Sequence, residues 1–302
     1  SESTAQSIDA KPWAQQAGQR AQQAHLDRTF DGGEAKPSAI KGLNEVHPQI
    51  PTHTRVSVII PTIGTTDKGQ RMVERAIASL RANTSTAIDL EIIAVTTGPL
   101  DPIPGATKQV VYNPTQGFNF SEAINLGRAN AQGEYLLLLN DDTTVKNPHP
   151  IERMLELAQI PEVAITGAKL TYPNERLQHV GMIMLPSGPT HPFISKPARD
   201  FGYFGSTLTP RNYSAVTAAA MLTRASVFDQ LGGFDTQFAR DFNDVDFCLK
   251  ARAANYRIAW TPYAHFTHHE GASITRKSAD LREQELFAQR WNTGETDPYY
   301  SP

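Results

Sequence analysis

The chain holds a single cysteine, Cys248, in 302 residues. That excludes an internal disulfide framework and permits a reducing compartment. No apolar run approaches the roughly 20 residues that a membrane span requires. A basic field is missing too: 28 Lys and Arg stand against 31 Asp and Glu, for a net charge of −3. A nucleic-acid ligand, which needs a dense cationic surface, is therefore disfavoured. No signal-peptide pattern opens the chain, and its start at Ser1 without Met points to processing or trimming. Neither G-x-G-x-x-G nor G-x-x-x-x-G-K-[ST] occurs, so the dinucleotide fingerprint and the P-loop are both excluded. What is present is a 39% hydrophobic share, enough for a core, in a length that suits one large domain or two small ones.

Residues 1–54 are rich in Gln, Ala, Pro and Gly and poor in branched apolar side chains. They read as an extension with one helix around Trp13–Leu26, followed by a linker over Lys36–Pro51. From Arg55 the pattern changes to alternating strands and helices. Val56–Ile60 reads as a buried strand stopped by Pro61, with a polar loop after it. Met72, Val73, Ala76, Ile77 and Leu80 recur at helical spacing. Leu90–Val95 and Val110–Tyr112 are the next strands, a helix capped by Ser121 runs to about Asn130, and Tyr135–Leu139 is the fourth strand. This order predicts an α/β fold, a doubly wound and mostly parallel central sheet flanked by helices.

The second half mixes elements. A helix over Pro148–Gln159 turns Ile151, Met154, Leu155 and Ala158 inward, and Val163–Gly167, Met182–Leu185 and Tyr256–Trp260 read as strands. Tyr172–His191 has the Pro, Gly and polar content of a substrate-facing surface. Gly232-Gly233-Phe234-Asp235 is a tight turn where backbone can approach a ligand. Asn243-Asp244-Val245-Asp246 opens a helix to about Ala254, and His265, His268, His269 and Glu270 cluster beyond the last strand.

Asn140-Asp141-Asp142 closes the strand Tyr135–Leu139. Two carboxylates thus sit at the carboxyl end of a buried strand, where open α/β sheets bind ligands. Adjacent acids repel unless a cation or donor groups compensate. A divalent metal holding a diphosphate meets that need, since such ions take few carboxylates and complete their shell from phosphate and water. An acidic turn after a strand is the plainer alternative.

Together these stretches resemble glycosyltransferase family 2. Val56-Ser57-Val58-Ile59-Ile60-Pro61-Thr62 is similar to the family's opening strand, and Leu137-Leu138-Leu139-Asn140-Asp141-Asp142-Thr143 to its metal-binding D-x-D segment. Gly232-Gly233-Phe234-Asp235 and Asn243-Asp244-Val245-Asp246-Phe247-Cys248-Leu249 are similar to its acceptor-side turn and E-D motif, and Pro262 to Glu270 to its late metal-histidine segment. Phe118-Asn119-Phe120-Ser121, Arg211-Asn212-Tyr213-Ser214 and Asp297-Pro298-Tyr299-Tyr300 resemble a bacterial branch that builds O-antigens and other surface polysaccharides, many of them rhamnosyltransferases.

The resemblance implies a GT-A fold over 55–302, with a nucleotide-sugar-binding half at 55–145 and an acceptor-side half with the C-terminal segment at 146–302. It implies inverting transfer from a nucleotide-sugar donor, a dTDP- or UDP-sugar, to a glycan or lipid-linked glycan. A divalent metal, Mn²⁺ or Mg²⁺, is the implied cofactor, with Asp142 and His268 as ligands and His269 as the alternative to His268. Asp244 falls on the family's general base; helix capping is the competing role for it. Pro61, Thr62, Thr96, Asn125, Asn140 and Asp141 fall on the donor side. Gly233, Phe234, Asp246 and His179 fall on the acceptor side, with Asp246 also suited to complementing its helix dipole. The implied place is the cytoplasm at the inner face of the bacterial membrane, with membrane assembly through parts outside this chain. Three positions depart from the family pattern: Thr96 stands where an Asp reads the nucleobase, Asn140 replaces the first acid of D-x-D, and Asn243 replaces the Glu of E-D. A sugar nucleotidyltransferase would show a Gly-rich, basic phosphate loop, which Pro61–Thr66 imitates poorly. A non-catalytic carbohydrate- or nucleotide-binding domain of a larger synthase finds its best support in Thr96. A metal-dependent hydrolase would need a water-activating cluster that the sequence does not display.

Overall fold

The computed structural model describes residues 12–38, 40–115, 117–269, 280–291 and 296–300. The chain divides into two compact units, Ser1–Thr52 and His53–Pro302. In the first, helix α1 (Pro12–Thr29) packs on a hairpin of β1 (Gly33–Pro37) and β2 (Asn44–Pro48). The linker expected over Lys36–Pro51 is therefore a paired strand and turn. Its polar sequence hides the pairing, because side-chain amides of the helix hold it. Gln23 donates to the Gly33 carbonyl and accepts from the Ala35 N–H, Gln19 donates to the Ala35 carbonyl, and Asn44 donates to Gln22. Both strands are edges, so Pro37 and Pro48 cost no ladder bond.

The second unit begins with β3 (Arg55–Thr62), a small hairpin of β4 (Thr66–Asp67) and β5 (Gln70–Arg71), α2 (Met72–Asn83), β6 (Asp89–Thr97) and β7 (Lys108–Tyr112). Then come α3 (Phe120–Ala129), β8 (Tyr135–Leu139), β9 (Thr143–Val145) and α4 (Pro150–Ala158). The rest of the unit holds β10 (Val163–Thr171), β11 (Leu177–His179), β12 (Ile183–Leu185), β13 (Gly188–Thr190), β14 (Arg211–Tyr213) and β15 (Ala220–Arg224). It continues with α5 (Ala225–Gln230), α6 (Asn243–Ala253), β16 (Arg257–His268) and α7 (Leu281–Arg290).

One sheet carries the unit in the order β14-β16-β10-β15-β8-β3-β6-β7. From β8 to β7 every pairing is parallel. Helices cover this half, so its strands are apolar on both faces rather than alternating; Val58–Ile60 and Leu136–Leu138 are fully buried. The buried face of α2 is Met72, Val73, Ala76, Ile77 and Leu80, the set expected from periodicity. In α3, Gly127 lies so near β3 that a Cβ there would stand 2.3 Å from Ile59.

Two boundaries in this parallel half differ from the sequence reading. Pro61 does not stop β3. Pairing with β8 ends at Ile59, so from Ile60 onward only β6 adjoins β3, and a missing N–H on the open side is tolerated. The cap of α3 is Asn119, whose side chain accepts from the Glu122 N–H. Ser121 lies inside the helix and donates to the Phe238 carbonyl at 2.6 Å.

The other half of the sheet is mixed. Because β15 is antiparallel to both β8 and β10, β10 runs the same way as β8, and β16 is parallel to β10. The carboxyl ends of β3, β6, β8, β10 and β16 therefore share one edge. Contrary to the expected end at Trp260, β16 continues to His268. Its register on β10 jumps from Thr261↔Ala168 to His265↔Lys169, so Pro262, Tyr263 and Ala264 bulge out of the ladder. Asn147 closes the gap, donating to the Tyr263 carbonyl and accepting from the His265 N–H. His265 and His268 are strand residues, and Glu270 lies outside the described residues.

Candidate active site

Strand β9 folds back on β16 with Thr143 opposite His268, which brings Asp142 beside the histidine ring. Asp142 Oδ1 is 3.0 Å from His268 Nε2, and both residues are buried. On the far side of the ring, His268 Nδ1 lies 2.7 Å from Gln178 Oε1. Both ring nitrogens thus face oxygens, whereas a neutral imidazole has one N–H. With that proton donated to Gln178, the Nε2 lone pair points at a carboxylate. A cation between them relieves the repulsion, beside the amide that Asn140 turns to the same nitrogen. Two ligands about 2.1 Å from a divalent ion and at a right angle are themselves about 3 Å apart. The pair therefore fits a divalent cation, and Gln178 supplies the outer hydrogen bond that orients metal-binding histidines. Among the described residues no third His, Cys, Asp or Glu completes a protein-only site. That suits an ion taking its remaining ligands from a diphosphate and water.

The neighbouring residues divide the work. Asn140 Nδ2 is 3.2 Å from His268 Nε2. Asp141 accepts a 2.6 Å hydrogen bond from the Thr62 hydroxyl, which itself accepts from the Gly64 N–H. Met72, Arg75, Asp141, Asp142, Thr144 and His269 line a small cavity. Arg75, paired with Asp67 at 2.9 Å, adds a cation beside the two acids. The backbone N–H of His269 donates to the Asp142 carbonyl, so His268 presents its ring to the Asp142 carboxylate while His269 lies on the cavity side.

Asp244 stands apart from this cluster, half-buried in the first turn of α6. Its Oδ2 accepts from the Ala218 N–H at 3.1 Å and its Oδ1 from the Val245 N–H at 2.8 Å. The helix cap itself is Phe242, with no side-chain cap bond. Residues 217–219 link three parts of the site. The Ala218 N–H holds Asp244, the Ala219 carbonyl accepts from the Asn140 N–H, and the Thr217 N–H donates to His179 Nε2. His179 is buried, with His191 Nδ1 3.0 Å from its Nδ1. Burial pushes its pKa well below the ordinary value, and His191 and His268 push the same way. It is a neutral, buried ring beneath residues 217–219.

Several side chains expected to touch ligands are committed elsewhere. Thr96 is buried and donates to the Gly98 carbonyl, so its side chain is not a base reader; the unpartnered buried hydroxyl there is that of Thr97. The Pro61 and Thr62 side chains are buried too, which leaves backbone groups for a donor. Asn125 spends its amide on the Phe234 backbone, donating to the carbonyl and accepting from the N–H. It anchors the glycine turn rather than a donor. Gly233 is required by packing, not ligand approach: its φ is +68°, and a Cβ would stand 2.7 Å from Asn125 Oδ1. Phe234 is a core residue against Phe228 and Phe247. Asp246 has no exposure; it accepts from Arg290 and from the Trp291 indole N–H, both at 2.9 Å, and so holds α7. An open concavity lined by Asn125, Arg128, Phe228, Asp229 and Gly233 carries no comparable chemistry, because its ionic pair, Arg128–Asp229, is already closed.

Gln178, Ala218 and Thr97 were not legible in the sequence. Nothing distinguishes a Gln that orients a histidine ring, or a backbone N–H, until the chain is folded.

The fold is that of GT-A glycosyltransferases. It matches the crystal structure of GalNAc-T7 with UDP, GalNAc and Mn²⁺ at a TM-score of 0.59 and 13% identity, covering 79% of this chain and 48% of that one. The chain belongs to glycosyl transferase family 2, whose model matches residues 57–232. It is 30% identical to the O-antigen biosynthesis protein RfbC of Myxococcus xanthus, over 96% of this chain and 23% of that protein. It is 24% identical to the N-acetylglucosaminyl-diphospho-decaprenol L-rhamnosyltransferase of Mycobacterium tuberculosis, over 73% of this chain and 79% of that protein. The chain spans about a third or less of the curated relatives that match nearly all of it. No described helix is long and apolar enough to cross a membrane.

Proposed function

We propose that the chain moves a sugar, with inversion, from a nucleoside-diphosphate sugar to a hydroxyl of a glycan or lipid-linked glycan in bacterial surface-polysaccharide synthesis, at the inner face of the membrane. The observation that carries this reading is the Asp142–His268 pair, backed by Gln178 and set apart from the accessible Asp244 carboxylate. Asp142 and His268 are the residues that would hold Mn²⁺ or Mg²⁺, which supplies Lewis-acid stabilisation of the charge on the departing diphosphate. Asp244 takes the proton from the acceptor hydroxyl. The acceptor oxygen bonds to the anomeric carbon as the bond to phosphate breaks on the opposite face, and the nucleoside diphosphate leaves with the electron pair. The Ala218 N–H fixes the carboxylate for this proton transfer, a contribution typically worth ~10²–10⁴-fold. His179, held neutral, puts no positive charge under the acceptor.

The donor is a dTDP- or UDP-sugar, and the L-rhamnosyltransferase among the relatives favours rhamnose as the sugar moved. With Thr96 enclosed, discrimination of the base rests on backbone groups around Pro61 and Thr62. Thermal shift with UDP, dTDP, GDP and CDP, each with Mn²⁺, Mg²⁺ or a chelator, tests this directly. A metal-dependent shift by UDP or dTDP is expected, while preference for GDP overturns the pyrimidine assignment. Transfer or hydrolysis of the bound donor then separates an enzyme from a binding-only domain.

A further inference from the structure

Nine large hydrophobic side chains are exposed among the described residues, and four of them fall within residues 194–204: Ile194, Phe201, Tyr203 and Phe204. Tyr203 is 78% and Phe204 84% exposed, with their rings edge to face at 4.8 Å. Phe204 has a φ of +50°, a conformation disfavoured for a bulky residue. The backbone holds it there even though its ring gains no burial.

Polar groups of the same loop are engaged with its backbone and its neighbours. Asp200 accepts from the Gly202 N–H, the Thr207 hydroxyl donates to the Asp200 carbonyl, and Lys169 and Arg176 donate to the carbonyls of Ala198 and Ser195. Lys196 and Arg199 are exposed on the same loop, against a single half-buried acid, Asp200. Arg199 senses Glu175, but the Lys196 ammonium makes no side-chain hydrogen bond or ion pair among the described residues. The base of the loop is stitched to the site: the Ser195 N–H donates to the Leu177 carbonyl and the Leu177 N–H to the Lys196 carbonyl, on the strand that carries Gln178 and His179.

We infer that the 194–204 loop is a membrane-interface contact that seats the protein on an anionic bilayer. Aromatic rings with one apolar face and a polar edge settle at headgroup depth, and flanking Lys and Arg are drawn to anionic lipids. In a chain of net charge −3, a basic and aromatic loop is complementary to such a surface. A sugar-stacking platform would instead need several free hydrogen-bonding groups around the rings; here the Thr207 hydroxyl and one oxygen of Asp200 are already taken by the loop's own backbone. The inference goes beyond the transferase reading and places its acceptor side at a lipid surface.

The test is co-sedimentation of the full chain, without nucleotide, with vesicles of phosphatidylcholine alone or mixed equally with phosphatidylglycerol. The parent protein should pellet with the mixed vesicles and be released by salt. Phe201→Ser/Tyr203→Ser/Phe204→Ser should lower that partition by about tenfold or more, and Lys196→Glu/Arg199→Glu should remove the dependence on anionic lipid. Unchanged near-ultraviolet circular dichroism and melting confirm that both variants are folded. Failure of the parent to pellet, or equal pelleting of the triple variant, overturns the inference. So does concentration-dependent self-association of the parent that the triple variant loses, which would give the face to a second copy. Normal vesicle binding with lost transfer to a soluble acceptor would make the loop a glycan platform. Since no turnover enters the vesicle measurement, its failure leaves the transferase reading untouched.

Discussion

Asp142 carries the reading at the scale of single residues. Asp142→Ala should leave the fold intact but abolish the metal-dependent stabilisation by a nucleoside diphosphate, as read by thermal shift; a mutant that still binds metal and nucleotide like the parent rejects the site. Gln178→Leu should loosen His268 without removing a ligand. A loss of metal affinity of about 10–100-fold is expected from an outer-shell partner, measured by Mn²⁺ titration in the presence of UDP. Asp244→Asn keeps the shape and removes the basicity. Transfer should fall by about 10²-fold or more while donor affinity, measured on the same preparation, changes little. Lost donor binding would instead move Asp244 to the donor side.

At the scale of elements, α7 is a brace for α6 and the segment before it. Glu283, buried, accepts from the N–H groups of Ala239, Arg240 and Asp241, and Arg290 reaches both Asp235 and Asp246. The salt bridges hold the Arg290 guanidinium pKa above its ordinary value, although burial opposes them. These contacts grip the segment leading into α6 and so fix Asp244 from behind. Glu283→Ala leaves three backbone donors without their carboxylate. A destabilisation of about 1–3 kcal/mol is expected, checked by urea unfolding, with a larger fall in turnover than in metal affinity. Equal loss of both would show that the brace is general rather than directed at α6.

At the scale of the whole molecule, buried bases set the response to acid. Burial lowers the His265 pKa to about 3, with Lys169 and Lys146 adding to the shift, and burial lowers that of Lys169 to about 8. In each case the unfolded chain binds the proton more readily. The neutral His265 therefore contributes stability above its unfolded value near 6.5, and this is lost as pH falls toward the folded value. The loss approaches about 1.4 kcal/mol per pH unit for one group. Melting temperature should begin to drop below about pH 6.5, before ordinary carboxylates protonate. His265→Gln should flatten that acid limb; an unchanged limb would show that His265 is not its source. Lys169 acts in the alkaline range, where stability should rise between about pH 8 and 10.5 for the same reason.

The parallel half of the sheet was legible in the chain because burial on both faces leaves its mark on every residue. Val56–Ile60, Leu90–Val95 and Tyr135–Leu139 are near-continuous apolar runs, and α2 repeats its buried residues at one period. The acidic strand end at Asp141 and Asp142 was visible for the same reason, since charge stands out against such a run. The meeting of Asp142 with His268 was a different matter. It depends on β9 folding back and on a bulge at Pro262–Ala264 that lets β16 resume its ladder, neither of which has a local periodicity. The hairpin of the first unit was hidden because glutamine and asparagine amides, not apolar alternation, hold it. Local sequence specified which segments are strands and which residues are charged. Thr96, Asn125 and Asp246 show the limit: which partner each side chain meets was decided when distant strands were packed, because a polar group in a core bonds to whatever the fold brings within reach.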